Sequence, residues 1–509
     1  MKVGLVEPPR LKLVDPDGNN ITFLDTSPNL SKQVLMASLK SVGLDVQLFN
    51  LTKGNYEEEY GQVTWREFAL KKICLGDKIS DLDPKSCDVW GITNNFMHYR
   101  EITCLIIQHL MQGGKAVVVG GSDAIAEPQS YFQAGATAVV KDKSGSSNKA
   151  IINYVLGQSQ KENLTGVILY DGREYPIRRP ALSPQDWAMP SLDIVKECLN
   201  YSNIPLHDML LPCGSVLFDI GCDRNCDFCQ TPTYNLGYKK MSPEKALEWC
   251  SLQKNAGANS IECMSDQFLG RVLRMGGRQE IFDIVNGMRE LELPFQWQNG
   301  LELSKLTLGR GLKNSCVKDM VPDEELVEAI WGWDGRVGCL HAFIPAERPL
   351  LGRKAYAKLL PWQQHRNMLR AIVHSGIPNI VYGIIIGFAN DNYDSLCYLE
   401  EAVRDLEQDL KMINPLLNFF IEVASVIPIP GTRQGIKLSQ SGLLRFDDPT
   451  IIGCCRTACA DTYSLTYGEV SDWQLRIENE DGRTLCKQLT ERPTDQFLFE
   501  RFERHDEHI

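Results

Sequence analysis

No apolar run in this sequence is long enough to cross a bilayer. The longest, residues 380–388, is broken by glycine and reaches about half the length a spanning helix needs. A basic stripe is missing too: 53 Lys and Arg against 65 Asp and Glu leave a net charge of −12. Nothing is therefore present to neutralise a phosphate backbone, and nucleic acid is not an expected partner. Nor is there a regular cysteine framework. The 17 cysteines are scattered, and with no secretory leader expected they read as reduced thiols in a reducing cytosol, a few of them metal ligands. What is present is ordinary: 43% hydrophobic and 23% charged residues over 509 positions, enough for two or three domains with sizeable cores. The expectation is a soluble, cytoplasmic protein with no membrane partner.

One run of cysteines stands apart. Gly221-Cys-Asp-Arg-Asn-Cys-Asp-Phe-Cys-Gln230 has the spacing C-x3-C-x2-C at Cys222, Cys226 and Cys229. Three thiolates can hold three corners of an iron-sulfur cube and leave the fourth iron without a protein ligand. An open coordination position marks a catalytic metal rather than a structural one. The alternative is a structural zinc knuckle, but zinc takes four closed ligands from paired arms, and no partner arm or His-x3-His pair lies nearby.

Upstream of that run, to about residue 150, strand and helix signals alternate. Strands are expected at Val3-Gly-Leu-Val-Glu7, 45–50, Asp88-Val-Trp-Gly-Ile-Thr93 and 115–119, with helices at 30–42 and 101–111. This is a doubly wound α/β pattern, which binds ligands at the carboxyl ends of its strands. The pair Gly120-Gly121 follows such an end, although paired glycines as often mark a tight turn. Residues 166–175 read as a hairpin turning at Asp171-Gly172, and 176–190 is proline-rich. From Ser215 onward strand and helix repeat as in a partial (β/α)6 barrel, with a first strand at 215–220 that delivers the cysteines at its carboxyl end.

The cysteine run, with aromatic Phe228 before its last cysteine, resembles the signature of the radical S-adenosylmethionine enzymes. The resemblance implies a 4Fe-4S cluster on Cys222, Cys226 and Cys229 whose open iron chelates the amino and carboxylate groups of S-adenosylmethionine. One electron then cleaves the sulfonium, and a 5′-deoxyadenosyl radical takes hydrogen from substrate in a site shielded from water. Barrel landmarks follow in the order the family requires. Ser260-Ile-Glu-Cys-Met264 is a second strand ending in Ser265-Asp266, at the place of the motif that holds the cofactor's amino group. Phe295-Gln-Trp-Gln-Asn-Gly300 is a third. Residues 337–343 form a fourth, with Glu347 and Arg348 just beyond it for ribose and carboxylate. Val381-Tyr-Gly-Ile-Ile-Ile-Gly387 is a fifth, matching Gly-x-Ile-x-Gly at Gly383, Ile385 and Gly387, with Asn390 where glutamate is usual. Ser425-Val-Ile-Pro-Ile-Pro-Gly-Thr432 resembles the sixth and its Pro-Gly-Thr ending. The implied S-adenosylmethionine contacts are Phe228, Ser265, Asp266, Gln298, Glu347, Arg348, Gly383, Ile385 and Gly387.

The amino-terminal segment, in turn, looks like the cobalamin-binding domain of one large branch of that family. Glu7-Pro8-Pro9, Pro28-Asn-Leu30, Asp88 to Thr93 and Val117-Val-Val-Gly-Gly121 carry the likeness. The implied cobalamin contacts are Pro8, Pro9, Thr93, Asn94, Asn95, Gly120, Gly121 and Ser122. Asp123 stands where relatives often carry histidine, and Val139-Val-Lys-Asp-Lys-Ser144 replaces a Gly-Glu-Gly-Glu ending, a departure expected to touch only a surface loop. No histidine lies between Glu7 and Asn20, so cobalamin is expected without a histidine lower ligand. Asp186-Trp-Ala-Met-Pro190 resembles the strap joining the two halves. The expected division is 1–158 Rossmann-like, 159–208 linker, 209–436 barrel and 437–509 a small α+β cap, with strands at 465–477 and 483–489 and a solvated tail at 501–509.

Other residues are discounted. Cys454, Cys455 and Cys459 show no fourth ligand, Cys263 and Cys339 read as core, and His341 and His374 read as satisfied core histidines. The functional expectation is a cobalamin-dependent radical S-adenosylmethionine methyltransferase acting on an unactivated carbon of a small-molecule or peptide substrate. An electron donor such as flavodoxin or ferredoxin would reduce the cluster. The rivals are a cyclase, ring-contracting or oxidising enzyme of the same architecture, and a non-catalytic cobalamin or redox sensor.

Overall fold

The computed structural model describes residues 1–22, 30–178, 180–201, 211–309 and 320–478. These form two compact units. The first comprises Met1–Cys198, Asp227–Leu236 and Ile427–Ala460; the second comprises Leu199–Cys226, Gly237–Val426 and the described residues from Asp461 onward. The boundary between them falls inside the cysteine run, between Cys226 and Asp227.

The first unit is built on strands β1 (Lys2–Glu7), β2 (Arg10–Val14), β3 (Asp45–Asn50), β4 (Tyr56–Trp65), β5 (Phe68–Gly76), β6 (Val89–Thr93), β7 (Ala116–Gly120), β8 (Ala138–Val140), β9 (Val167–Leu169) and β10 (Glu174–Tyr175). Seven of them make one sheet in the order β10-β9-β8-β7-β6-β1-β3. Neighbours from β8 to β3 are parallel, and β9 and β10 add antiparallel edges. Pleating sends Val117 and Val119 to one face and Val118 to the other. The first pair joins a core with Ile102, Ile106 and Leu110 of helix Arg100–Met111; Val118 joins one with Met36 of helix Leu30–Ser41 and Ile151 of helix Asn148–Val155. Helices on both faces make the sheet doubly wound, and its parallel order reverses between β1 and β6.

The remaining strands of this unit, β2-β5-β4, pair as an antiparallel sheet. The histidine-free stretch from Glu7 to Asn20 thus contains a strand. The sheet's charged residues include the exposed Glu57 and Lys71, while Trp65 is fully buried and donates Nε1 to Ala458 O at 3.1 Å. The hairpin at Asp171-Gly172 is β9-β10, an extension of the large sheet rather than a free connection.

The second unit holds β11 (Cys213–Val216), β12 (Asp219–Ile220), β13 (Lys239–Lys240), β14 (Ser260–Cys263), β15 (Phe295–Trp297), β16 (Cys339–Glu347), β17 (Asn379–Ile386) and β18 (Asn418–Ser425). The sheet β11-β14-β15-β16-β17-β18 is parallel throughout and runs in chain order. Helices such as Pro243–Asn255, Gly277–Glu290 and Tyr393–Ile413 return the chain between strands. No pairing closes β18 onto β11 among the described residues, so this is a partial (β/α)6 barrel.

Several expectations are corrected here. The single strand at 215–220 is two, because β12 leaves the barrel to pair antiparallel with β13. The sixth strand ends at Ser425, where it was expected to begin, since Pro428 and Pro430 have no N–H to give a ladder. Glu347 closes β16 after a bulge at Pro345 instead of lying beyond the strand. Residues 467–477 are not a strand: helix Tyr467–Glu478 buries Val470, Trp473 and Ile477, a helical spacing. The segments 483–489 and 501–509, and Pro28 and Asn29, lie outside the described residues. His374 is exposed at the end of helix Trp362–His374. His341 is buried, but neither ring nitrogen has a hydrogen-bond partner, and burial depresses its pKa to about 4. Cys263 and Cys339 are core residues, as expected.

Candidate active site

In the first unit, the carboxyl ends of β1 and β6 flank the crevice where strand order reverses. Pro8 and Pro9 are buried after β1, whose last residue Glu7 is fixed by the buried Lys32 at 2.8 Å. After β6 come the half-buried Thr93, the buried Asn94 and the exposed Asn95. After β7, Gly120 and Gly121 behave differently. A Cβ on Gly121, whose φ is +103°, would lie 2.1 Å from Asn94 O, so packing of the chain on itself already requires glycine there. A Cβ on Gly120 would meet nothing closer than Val140 Cβ at 3.9 Å. Gly120 is the position with room in front of it.

Asp123 faces inward. Arg100 donates Nε and Nη2 to its carboxylate at 2.9 and 2.7 Å, and Tyr131 donates its hydroxyl while accepting from Asn94 Nδ2 at 2.7 Å. It therefore ties the two strand-end loops together from beneath. The departure at 139–144 is more than a surface loop. Asp142 is buried and accepts from Ser144 N and Ser147 N at 2.8 Å each, a hydroxyl-rich turn that pulls its pKa down against the effect of burial. The turn delivers Lys143, which donates Nζ to Ser122 Oγ at 3.0 Å and Asn95 Oδ1 at 3.1 Å and lies 5.3 Å over the Tyr234 ring. Gln230, one residue beyond Cys229, donates Nε2 to Pro430 O at 2.8 Å and Ser122 O at 3.4 Å. The end of the cysteine run thus sits at the carboxyl edge of this sheet.

In the second unit, the cysteine run leaves the β12-β13 ribbon and is gripped at its base by the end of β14. Asp266 Oδ2 accepts Gly221 N at 2.7 Å, Ser265 Oγ accepts Phe218 N at 3.1 Å, and Asp219 Oδ1 accepts Gln267 N at 2.8 Å. Asp266, expected as an amino-group anchor, is exposed and holds the loop through this bond. Burial pushes the Asp219 carboxyl up to about 7 against the pull of Arg271, and its Oδ2 has no partner.

A charged chain that motif reading missed clamps the middle of the run. Glu302, on the stretch after β15, is buried and receives Arg224 through Nε and Nη2, Gln267 Nε2 at 3.1 Å, Ser304 Oγ and the fully buried Lys305 at 3.1 Å. Lys305 also holds Asp223 at 2.5 Å. Burial alone would raise the Glu302 pKa, but Arg224, Lys305 and Ser304 bring it below the usual range. Gln267 further donates Nε2 to Cys222 Sγ at 3.5 Å, and Arg224 N reaches the same sulfur at 3.4 Å. The only sequence signal was a Glu-x-Ser-Lys run, which fits any polar turn.

Glu347 takes a left-handed φ of +54°, pairs with Lys358 through one oxygen and leaves Oε2 buried without a partner. Burial would lower the Lys358 pKa, yet the Glu347 carboxylate raises it, so the ammonium stays charged. Arg348, by contrast, is engaged with Asp391 and stacks 4.0 Å over Phe388. Gln298 donates to Gln296 at 3.0 Å. Gly383 and Gly387 are buried and Ile385 half-buried along and just past β17; Asn390 is exposed, and it is the neighbouring Asp391 that caps Gly387 N at 3.0 Å.

Cys222, Cys226 and Cys229 are half-buried and in no disulfide. Among the described residues no three His, Cys, Asp or Glu side chains converge on one metal ion, Cys454, Cys455 and Cys459 included. Thiols in no disulfide, with N–H donors to Cys222 Sγ, fit a thiolate-held cluster, and the buried orphan oxygen of Glu347 in the same unit fits a polar cofactor.

Comparison with models of known protein families finds no match, and comparison with curated proteins finds none. Solved structures do match. The cobalamin-dependent S-adenosylmethionine radical enzyme OxsB with aqua-cobalamin and S-adenosylmethionine bound is 16% identical, covering 99% of this chain and 71% of that one at a TM-score of 0.62. Apo OxsB is 17% identical, with 94% of this chain covered and a TM-score of 0.62. The radical S-adenosylmethionine methyltransferase TsrM from Kitasatospora setae, with tryptophan substrate and a SAM analogue bound, is 12% identical, covering 99% and 98% at a TM-score of 0.63. The chain spans 66% of the length of apo OxsB. The fold is that of the cobalamin-dependent radical S-adenosylmethionine enzymes.

Proposed function

We propose that this chain is a cobalamin-dependent radical S-adenosylmethionine enzyme that transfers a methyl group to an unactivated carbon of a small-molecule or peptide substrate. One observation carries the reading: Cys222, Cys226 and Cys229 lie on a single loop after β12, in no disulfide, with Gln267 Nε2 and Arg224 N donating to Cys222 Sγ. Cys222, Cys226 and Cys229 would hold the 4Fe-4S cluster. The orphan Oε2 of Glu347 and the amide of Gln298 are the groups available to S-adenosylmethionine, while Asp266 serves it through the loop it anchors. Gly120, together with Pro8, Pro9, Thr93 and Asn95 at the other strand ends of the doubly wound sheet, would border cobalamin, held without a histidine lower ligand because the connection after β1 has no histidine. When bound, the cluster and S-adenosylmethionine supply a 5′-deoxyadenosyl radical and cobalamin supplies methyl transfer. The chain's own part is to orient these groups and keep water out. A flavodoxin or ferredoxin in the cytoplasm would provide the electron.

The test is product accounting on anaerobically reconstituted, reduced protein. Methyl transfer gives 5′-deoxyadenosine and S-adenosylhomocysteine in about equal amounts, with a product heavier by one methylene. 5′-Deoxyadenosine with neither S-adenosylhomocysteine nor mass gain replaces methyl transfer with cyclisation, ring contraction or oxidation. No cleavage of S-adenosylmethionine at all leaves only a sensor.

A further inference from the structure

A cavity of about 60 Å³ opens beside the cysteine run in the second unit. That volume holds about two waters or one carboxylate. Its lining combines the apolar Met320, Leu359 and Leu360 with two arginines, Arg224 and Arg353. Both groups are permanently charged. Arg224 presents Nε and Nη2 to Glu302, which leaves Nη1 without a hydrogen-bond partner among the described residues. Arg353 is exposed and makes neither ion pair nor hydrogen bond among them. Glu302, which pairs with Arg224, is shared with Lys305, and Lys305 is shared with Asp223. Among the described lining residues Arg224 and Arg353 are the charged ones, and no carboxylate lines the cavity with them. Like charges facing one space repel unless an anion lies between them, and an arginine fork is shaped to take a carboxylate or phosphate oxygen pair.

We infer that this cavity is an anion subsite for the substrate, taking a carboxylate or phosphate borne on an apolar stem. The inference deepens the proposed function by naming the substrate class, and it rests on that reading. Arg224 lies two residues from both Cys222 and Cys226, so an anion held here lies next to the loop that carries the thiols.

The test is calorimetric titration of the full-length, cluster-reconstituted protein with hexanoate, hexyl phosphate and hexylammonium. The two anions should bind and the cation should not; the tighter anion identifies the headgroup. Arg353→Ala should weaken the anion about tenfold or more and Arg353→Lys should recover part of it. Because Arg353 is exposed, both variants should keep the wild-type thermal midpoint. Binding of neither anion, binding that Arg353→Ala leaves unchanged, or displacement of hexanoate by S-adenosylmethionine would overturn the subsite, the last by making it part of the cofactor's own site. 5′-Deoxyadenosine formed by the same wild-type preparation is scored in parallel. Cleavage without anion binding removes the subsite and leaves the proposed function standing; absence of cleavage removes the function itself.

Discussion

Replacing Glu302 by glutamine should unfasten the cysteine run. The carboxylate is buried and joins Arg224, Gln267, Ser304 and Lys305. Glutamine keeps the shape but removes the charge, which leaves the fully buried Lys305 with Asp223 alone. Breaking a buried ion pair by neutralising one partner costs about 3–5 kcal/mol. For a unit of this size that lowers the thermal midpoint by roughly 6–15 °C. The effect has a pH signature. Since the folded pKa of Glu302 is depressed, its contribution is present above the unfolded value of about 4.5 and is lost as pH falls through the folded one. Wild type should therefore lose stability on acidification below about pH 4.5 more steeply than Glu302→Gln. Circular dichroism melts across pH measure this, with iron content of the reconstituted variant as the second readout. A variant that melts within a degree of wild type and takes up full iron would refute the clamp.

Other predictions separate roles that motif reading merged. Gly120→Val should abolish uptake of cobalamin, read by absorbance, with iron content intact, whereas Gly121→Val should lower stability itself because its Cβ meets Asn94 O at 2.1 Å; identical behaviour of the two would contradict the distinction. Gln267→Leu removes an N–H donor from Cys222 Sγ, and because such donors stabilise the more negative reduced cluster, the midpoint potential in an EPR-monitored titration should become more negative. An unchanged potential would mean the contact carries no electrostatic weight. Asp219 has a folded pKa raised to about 7 from 3.8. Its stabilising share is thus full below about pH 4 and is lost as pH rises towards 7. Asp219→Asn should flatten that loss in denaturation curves, and a parallel pH dependence would show that the carboxyl is not buried protonated.

Strand periodicity located β1, β3, β6, β7, β14 and β17 closely because each is an apolar run flanked by turn residues. The sheet β2-β5-β4 was not legible. Its strands bury one face in the unit's core and leave charged residues such as Glu57 and Lys71 outside, so they read as polar loop. Helix Tyr467–Glu478 was misread because Val470, Trp473 and Ile477 are also strand formers, and only their spacing decides. In the site, cysteine spacing is a strong signal, since few chemistries use it. The clamp was invisible because Glu302 and Lys305 meet Asp223 and Arg224 across some eighty residues of chain, a pairing set by topology. The glycine pair illustrates a third limit: sequence marks both positions alike, but one answers to the chain's own backbone and the other faces open space.

The most direct test of the central claim is the EPR spectrum of the reduced, reconstituted protein with and without S-adenosylmethionine, recorded beside a Cys222→Ala, Cys226→Ala, Cys229→Ala variant. An open iron that binds the cofactor predicts a 4Fe-4S signal in wild type that changes when S-adenosylmethionine is added, and no cluster signal or stoichiometric iron in the triple variant. A cluster signal indifferent to S-adenosylmethionine, or one that survives loss of all three cysteines, would contradict the account.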